Sequence, residues 1–218
     1  AALIATIFML PAQAKESKYY GAHLCSYAGF KCVKVRRGDT WAKLFPSKHK
    51  REIVKRLNRM NVALRYRTWI VIPTNLSRIN HMDMSPFPDY IEPTNKRTIV
   101  VKLGLHAFGA YDEKGNLVHW GPISGGKGWC DDVGRECKTA LGAHKIYRKQ
   151  GANCISSAFP VETRGGAPMP FCMHYFQGFA IHGSTLPGFH ASHGCVRLFN
   201  DDAKWLNKHF LKIGSKVM

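Results

Sequence analysis

Acidic residues are scarce in this chain. Its 218 residues hold 14 Asp and Glu against 32 Lys and Arg, a formal net charge of +18. That balance argues against a cation-collecting surface and favours polyanionic partners: nucleic acid, anionic lipid or anionic envelope polymers. A merely solvated basic surface is the bland alternative. The excess is uneven, net +13 over residues 15–80 and +5 over 81–218. No C-x2-C pair occurs and the 11 histidines are scattered, which speaks against a structural zinc site. Beyond residue 10 no apolar run is long enough to span a bilayer. From residue 165 to residue 200 there is no Asp or Glu, so an imidazole in that stretch has no carboxylate neighbour in sequence.

What is present begins with a leader. Ala1 to Leu10 is almost wholly apolar, and Pro11-Ala12-Gln13-Ala14 carries a small-x-small cleavage pattern. The run lacks a basic n-region and is too short for a transmembrane helix. Residues 1–14 read as the back half of a secretory signal peptide and are set aside from the fold; a buried N-terminal strand is the competing use. Membrane contact is then expected only through this transient segment, and export makes nucleic acid an unexpected partner. The seven cysteines agree with export. An odd count leaves one thiol free. Cys25/Cys32 and Cys130/Cys137 share a C-x6-C spacing that can close a small loop. Cys154 and Cys172 are left for a longer bridge by elimination, one connectivity among many. Cys195 then stays unpaired.

Three parts follow the leader. Residues 15–31 are short, aromatic and glycine-containing, and read as irregular structure clipped by Cys25 and Cys32. Val33 to Arg36 alternates like a strand, and Gly38-Asp39-Thr40 supplies a turn with Asp39 or Thr40 as N-cap. Trp41 to Phe45 is a short helix stopped by Pro46. Lys48 to Arg59 is a second, with Ile53, Val54 and Leu57 on one apolar face, and Trp69 to Pro73 is a closing strand. Residues 32–76 thus form a small β-α-α-β unit. Residues 77–96, with Ser85-Pro86-Phe87-Pro88 and Glu92-Pro93, read as a stiff linker. Residues 97–218 read as mainly β: strands at Thr98–Leu103, His106–Tyr111, Leu117–Trp120, Gly142–Arg148, Pro170–Phe176 and Phe179–His182. One convincing helix covers Asp201–Phe210, capped by Asn200 or Asp201.

The chemistry concentrates in Ile181-His182-Gly183-Ser184 and Ser192-His193-Gly194-Cys195-Val196-Arg197. A free thiol is weakly ionised at neutral pH, with a reference pKa of about 8.5. A neighbouring imidazole can take its proton and hold the thiolate. Cys195 is the candidate nucleophile and His182 the candidate base, with His193 its rival. Backbone N–H groups at His193, Gly194 and Cys195 are candidates to hold an oxyanion. Arg197 suits a substrate carboxylate, a structural ion pair being the alternative, and Ser192 suits bracing the loop. His106, Met169 and Tyr175 are candidates to line the cleft, simple packing being the alternative.

Two resemblances give these parts a context. Val35-Arg36-Arg37-Gly38-Asp39-Thr40-Trp41, Leu57-Asn58 and Ile70-Val71-Ile72-Pro73 resemble a LysM module, a family that binds glycans containing N-acetylglucosamine; Arg65-Tyr66-Arg67 stands where that family usually has a Gly-Gln-type turn. Pro122-Ile123-Ser124-Gly125-Gly126, Lys138-Thr139-Ala140-Leu141-Gly142, Met169-Pro170-Phe171 and the two segments around His182 and Cys195 resemble the L,D-transpeptidase catalytic domain, the YkuD-type fold. The resemblance implies a β-sandwich with one C-terminal helix and an imidazole oriented by a backbone carbonyl at Gly183 or Ser184. It also implies a peptidoglycan transpeptidase in the cell envelope, expected in the periplasm, that forms 3→3 cross-links through a cysteine thioester. Its partners would be stem peptides and glycan strands, and no metal or organic cofactor is required. Two alternatives stand beside it: an L,D-carboxypeptidase trimming D-alanine, and a catalytically silent wall-binding protein. Signatures of the thiol-protease families around the cysteine are absent.

Overall fold

The computed structural model describes residues 17–218; the expected leader at 1–14 lies outside the described residues. Helix α1 (Tyr20–His23) leads by a 3₁₀ turn into strand β1 (Phe30–Lys34), with Cys25 bridged to Cys32. Helices α2 (Trp41–Leu44) and α3 (Lys48–Leu57) follow, then β2 (Trp69–Pro73), which pairs antiparallel with β1. The cap of α2 is Thr40, whose hydroxyl accepts from the Lys43 N–H at 3.1 Å. Asp39 instead accepts from the Arg36 N–H, closing the preceding turn. Ile53, Val54 and Leu57 are buried, and Val54 joins Trp41, Ile70 and Ile72 in a small core.

The C-terminal part is one nine-stranded sheet. Its strands are β3 (Thr98–Lys102), β4 (Ala107–Tyr111), β5 (Leu117–Ser124), β8 (His144–Lys145), β9 (Arg148–Lys149), β10 (Met173–Phe176), β11 (Phe179–Gly183), β12 (Val196–Leu198) and β13 (Lys216–Val217). The order is β8-β13-β3-β4-β5-β12-β11-β10-β9. Its two edges, β8 and β9, are almost consecutive in the chain, so the sheet must curl to bring them together. The Tyr147 N–H, between them, donates to the His174 carbonyl of β10. The expected sandwich of two sheets is therefore a single curled sheet. Its concave side holds the main core, including Ile99, Phe108, Ile123, Ile181 and Leu198. Helix α4 (Asn200–Trp205), prolonged by a π-helical turn Leu206–Phe210, adds Ala203, Leu206 and Phe210. Neither Asn200 nor Asp201 caps this helix; its N-cap is Phe199, without a side-chain bond. A short hairpin, β6 (Gly128–Cys130) with β7 (Arg135–Cys137), stands off the sheet, stapled by Cys130–Cys137.

Residues 77–96 do more than link. Phe87 is buried against Val100, Tyr111 and Trp120. The Trp120 indole N–H donates to the His81 carbonyl and the Tyr111 hydroxyl to the Pro88 carbonyl; Leu117 and Ile91 close backbone bonds with Asp89 and Gly115. The prolines hold an extended strap that covers one face of the sheet, and apolar burial keeps it there.

The N-terminal unit is docked on the sheet. Arg56 grips buried Asp202 with both nitrogens, at 2.7 and 2.8 Å, and His119 adds a bond at 2.9 Å to the same carboxylate. Arg59 is buried, donates to the Leu105 and Arg56 carbonyls, and lies over the rings of Tyr20 and Trp120. Burial pushes its pKa down to about 10. No described helix is long and apolar enough to cross a membrane.

Candidate active site

Strands β11 and β12 run parallel, with Ile181 opposite Val196 and His182 opposite Arg197. This pairing brings the segment carrying His182 beside the loop that ends in Cys195. Cys195 is the one free cysteine among the described residues; Cys154 is bridged to Cys172. The thiol packs against Met169, Ala180 and that bridge.

His182 is buried, and its Nδ1 lies 2.9 Å from the Gly183 carbonyl oxygen. Donation to that carbonyl puts the ring proton on Nδ1 and leaves Nε2 as a lone pair. Burial pushes the His182 pKa down to about 4, helped by Arg197 and His174 and opposed by the bond to Gly183. Burial pushes the Cys195 thiol up, although the Ala180 backbone and Arg197 pull the other way. At neutral pH these shifts favour a protonated thiol and a neutral imidazole.

The nucleophile loop is held from within. The Ser192 hydroxyl donates to the Cys195 carbonyl and accepts from the Gly194 N–H at 3.0 Å. Gly194 has φ +120°, and a Cβ there would meet Phe179 at 2.4 Å, so the turn requires glycine. Of the expected oxyanion donors Gly194 falls away, and Gly183 and Ser184, the residues expected to orient the imidazole, have no free N–H either. The N–H of Gly194 is on Ser192, that of Gly183 on the Pro170 carbonyl and that of Ser184 on the Leu198 carbonyl. A strand or turn that uses its own N–H groups for register has none left for a substrate.

Arg197 is half-buried and has no carboxylate within salt-bridge distance among the described residues; its alternative as a structural ion pair has no partner here. Burial raises the Tyr175 pKa, with Cys195 adding to the rise, and its hydroxyl has no hydrogen-bond partner among the described residues. Met169 touches the thiol's cluster. His106 is elsewhere: it turns with φ +47°, stacks on His190 at 3.8 Å and lies against Tyr20. It belongs to the junction with the N-terminal unit, not to the lining around Cys195.

His193 is held by a residue that the sequence does not bring to attention. Its Nε2 meets Asp132 Oδ2 at 2.6 Å, Phe159 stacks on its ring at 4.2 Å, and Lys127 lies 3.6 Å from the same carboxylate. Asp132 sits at the tip of the β6–β7 hairpin, far from His193 in sequence. The only signal for it is Asp131-Asp132 inside a C-x6-C loop. Cys130, Cys137 and His193 form the one His/Cys/carboxylate group among the described residues close enough to share an ion, and there the two sulfurs are bonded to each other.

A curled β-sheet that carries a free, half-buried thiol just before one strand, and a carbonyl-held imidazole on the strand paired with it, holds the parts for cysteine chemistry. Residues 96–218 match the family model of the YkuD L,D-transpeptidase catalytic domain, more than half of the chain. The chain therefore belongs to the L,D-transpeptidase family and is an enzyme of that class. Among solved structures it is similar to an L,D-transpeptidase of Xylanimonas cellulosilytica (TM-score 0.56, 20% identity, 85% of this chain and 96% of that one), a likeness of fold alone. It is also similar to L,D-transpeptidases of Stackebrandtia nassauensis (0.45, 23%, 62% and 60%) and Mycobacterium smegmatis (0.45, 18%, 56% and 58%). No curated protein matches the chain.

Proposed function

We propose that this enzyme joins peptidoglycan stem peptides by 3→3 cross-links through a thioester on Cys195. The observation that carries the reading is the His182 ring, fixed by the Gly183 carbonyl with Nε2 left as acceptor, on the strand paired to the one that follows the free thiol. In the first half-reaction Cys195 Sγ attacks the carbonyl carbon between the diamino residue and the terminal D-alanine, while His182 Nε2 takes the thiol proton. The N–H groups of His193 and Cys195, not engaged as those of Gly183, Ser184 and Gly194 are, hold the oxyanion. The imidazolium returns the proton to the leaving amine, the C–N bond breaks, and D-alanine departs. In the second half the side-chain amine of another stem attacks the thioester carbonyl and gives its proton to His182 Nε2. The C–S bond then breaks and the thiolate recovers the proton. Arg197 holds a substrate carboxylate, and Met169 and Tyr175 flank the reacting carbonyl.

The N-terminal unit is read as a LysM-like glycan-binding module. Its exposed Tyr66 and Trp69, with Arg37, Arg67 and Lys34 over their rings, offer sugar-stacking faces inside a basic field. Export to the envelope, with the periplasm as the working compartment, completes the proposal. Incubation of the enzyme with disaccharide-tetrapeptide, followed by mass spectrometry of protein and products, is the test. A thioester adduct on Cys195 and cross-linked dimers are expected. Trimmed tripeptides without dimers would make water the acceptor and the enzyme a carboxypeptidase. Glycan binding without any adduct would make it a silent wall-binding protein.

A further inference from the structure

The loop from Ser184 to Ala191 joins the strand of His182 to the turn of Cys195, and it is gripped from two sides. On one side is the end of β5. The Gly125 carbonyl accepts from the Ala191 and Ser192 N–H groups, and the Ser124 hydroxyl donates to the Phe189 carbonyl. His190 is pinned between the Gly125 N–H, which donates to Nδ1 at 2.9 Å, and the Leu103 carbonyl, which accepts from Nε2 at 3.1 Å. On the other side is the N-terminal unit. The Asn61 N–H donates to the Leu186 carbonyl at 3.0 Å, and the Leu186 N–H donates back to Asn61 Oδ1 at 2.7 Å. The Tyr20 N–H donates to the Gly188 carbonyl at 2.8 Å, and the Tyr19 ring meets Phe189 edge-on at 5.5 Å. Leu186 is fully buried, so its N–H has Asn61 or nothing.

From this geometry we infer that the N-terminal unit is a positioning element of the active site, with Asn61 its chief contact: it holds the loop between base and nucleophile in the register that catalysis needs. The inference rests on the reading of Cys195 and His182 above. A loop held only by β5 keeps the nucleophile turn but leaves residues 185–188 free to shift, and small displacements at reacting groups cost large factors in rate. The unit's role is then not confined to finding the wall.

The test compares Asn61→Asp, which keeps the acceptor for Leu186, with Asn61→Leu, which keeps the volume and removes the acceptor, both in the full chain with disaccharide-tetrapeptide as substrate. Expected is a fall in kcat of about tenfold in Asn61→Leu with KM within about twofold, and near-wild-type kcat in Asn61→Asp. Rates are expressed per folded enzyme, from the amplitude of the cooperative thermal unfolding transition, so a misfolded fraction does not count as slow enzyme. Tyr19→Ala repeats the measurement with the Asn61 bonds intact and is expected to lower kcat several-fold. Equal kcat in Asn61→Leu and wild type, or equal loss in Asn61→Asp and Asn61→Leu, overturns the inference. A wild type that forms no Cys195 thioester overturns the assignment of function instead.

Discussion

His182, on the strand paired with the one that follows Cys195, and His193, two residues before Cys195 in the chain, live in opposite surroundings. His182 is dry, held by a main-chain carbonyl, and pushed down to about 4. His193 is solvent-touched, held by the Asp132 carboxylate, and stacked on Phe159. A carbonyl partner orients a ring without favouring its charged form as strongly as a carboxylate does. The first arrangement therefore suits an imidazole that must accept a proton and give it back within one turnover. The second suits a fixed side chain at the cleft's rim.

That contrast can be broken most sharply at His182 itself. His182→Gln is expected to lower kcat/KM for the stem peptide by about 10²–10⁴-fold, the range for loss of a general base, measured by release of D-alanine. Next in size is Gly194→Ala. Its positive φ and the Phe179 contact imply a cost of about 1–3 kcal/mol, read as a lower melting temperature together with loss of Cys195 acylation. Smaller still is Asp132→Asn, expected to change kcat/KM by less than about tenfold. A loss as deep as that of His182→Gln would move the base to the Asp132–His193 pair.

The pH dependence sharpens the same point. The His182 pKa lies below that of a free histidine, so the ring is neutral and competent down to about pH 4, and the acid limb of kcat/KM is expected there. A limb near the ordinary histidine value of about 6.5 would assign the role to another group. Because the thiol is pushed up, iodoacetamide labelling of Cys195 is expected to rise with pH only above the usual cysteine range of about 8.5. Stability carries the same sign. His81, His106 and His182 are pushed down to about 4, 3 and 4, so between those values and about 6.5 the unfolded chain binds protons that the folded chain refuses. The melting temperature is expected to fall as pH drops through that window.

The sequence made the mainly-β character of residues 97–218 legible because alternation, Gly/Pro punctuation and the Asp201–Phe210 helix pattern are local signals. The Ser-His-Gly-Cys run and the odd cysteine were equally local, and they led to the enzyme class. What stayed hidden was non-local. Asp132 reaches His193 only because the hairpin folds back over the loop. Curling of one sheet cannot be told from two stacked sheets by strand pattern. The engagement of the Gly183 and Ser184 N–H groups depends on which distant segment lies alongside. His106 looked like a cleft residue by type, and packing against His190 and Tyr20 took it elsewhere.

The strap at residues 81–91 changes where this molecule can be divided. The family match begins at residue 96, but an enzyme cut there would lose the cover over Phe87's partners, leaving the Trp120 indole and the Tyr111 hydroxyl without acceptors and an apolar face open to water. The cover of the sheet therefore starts near His81 rather than at the homology boundary. A protease that clips the Pro-rich stretch would unseat a wall of the fold, not sever a tether.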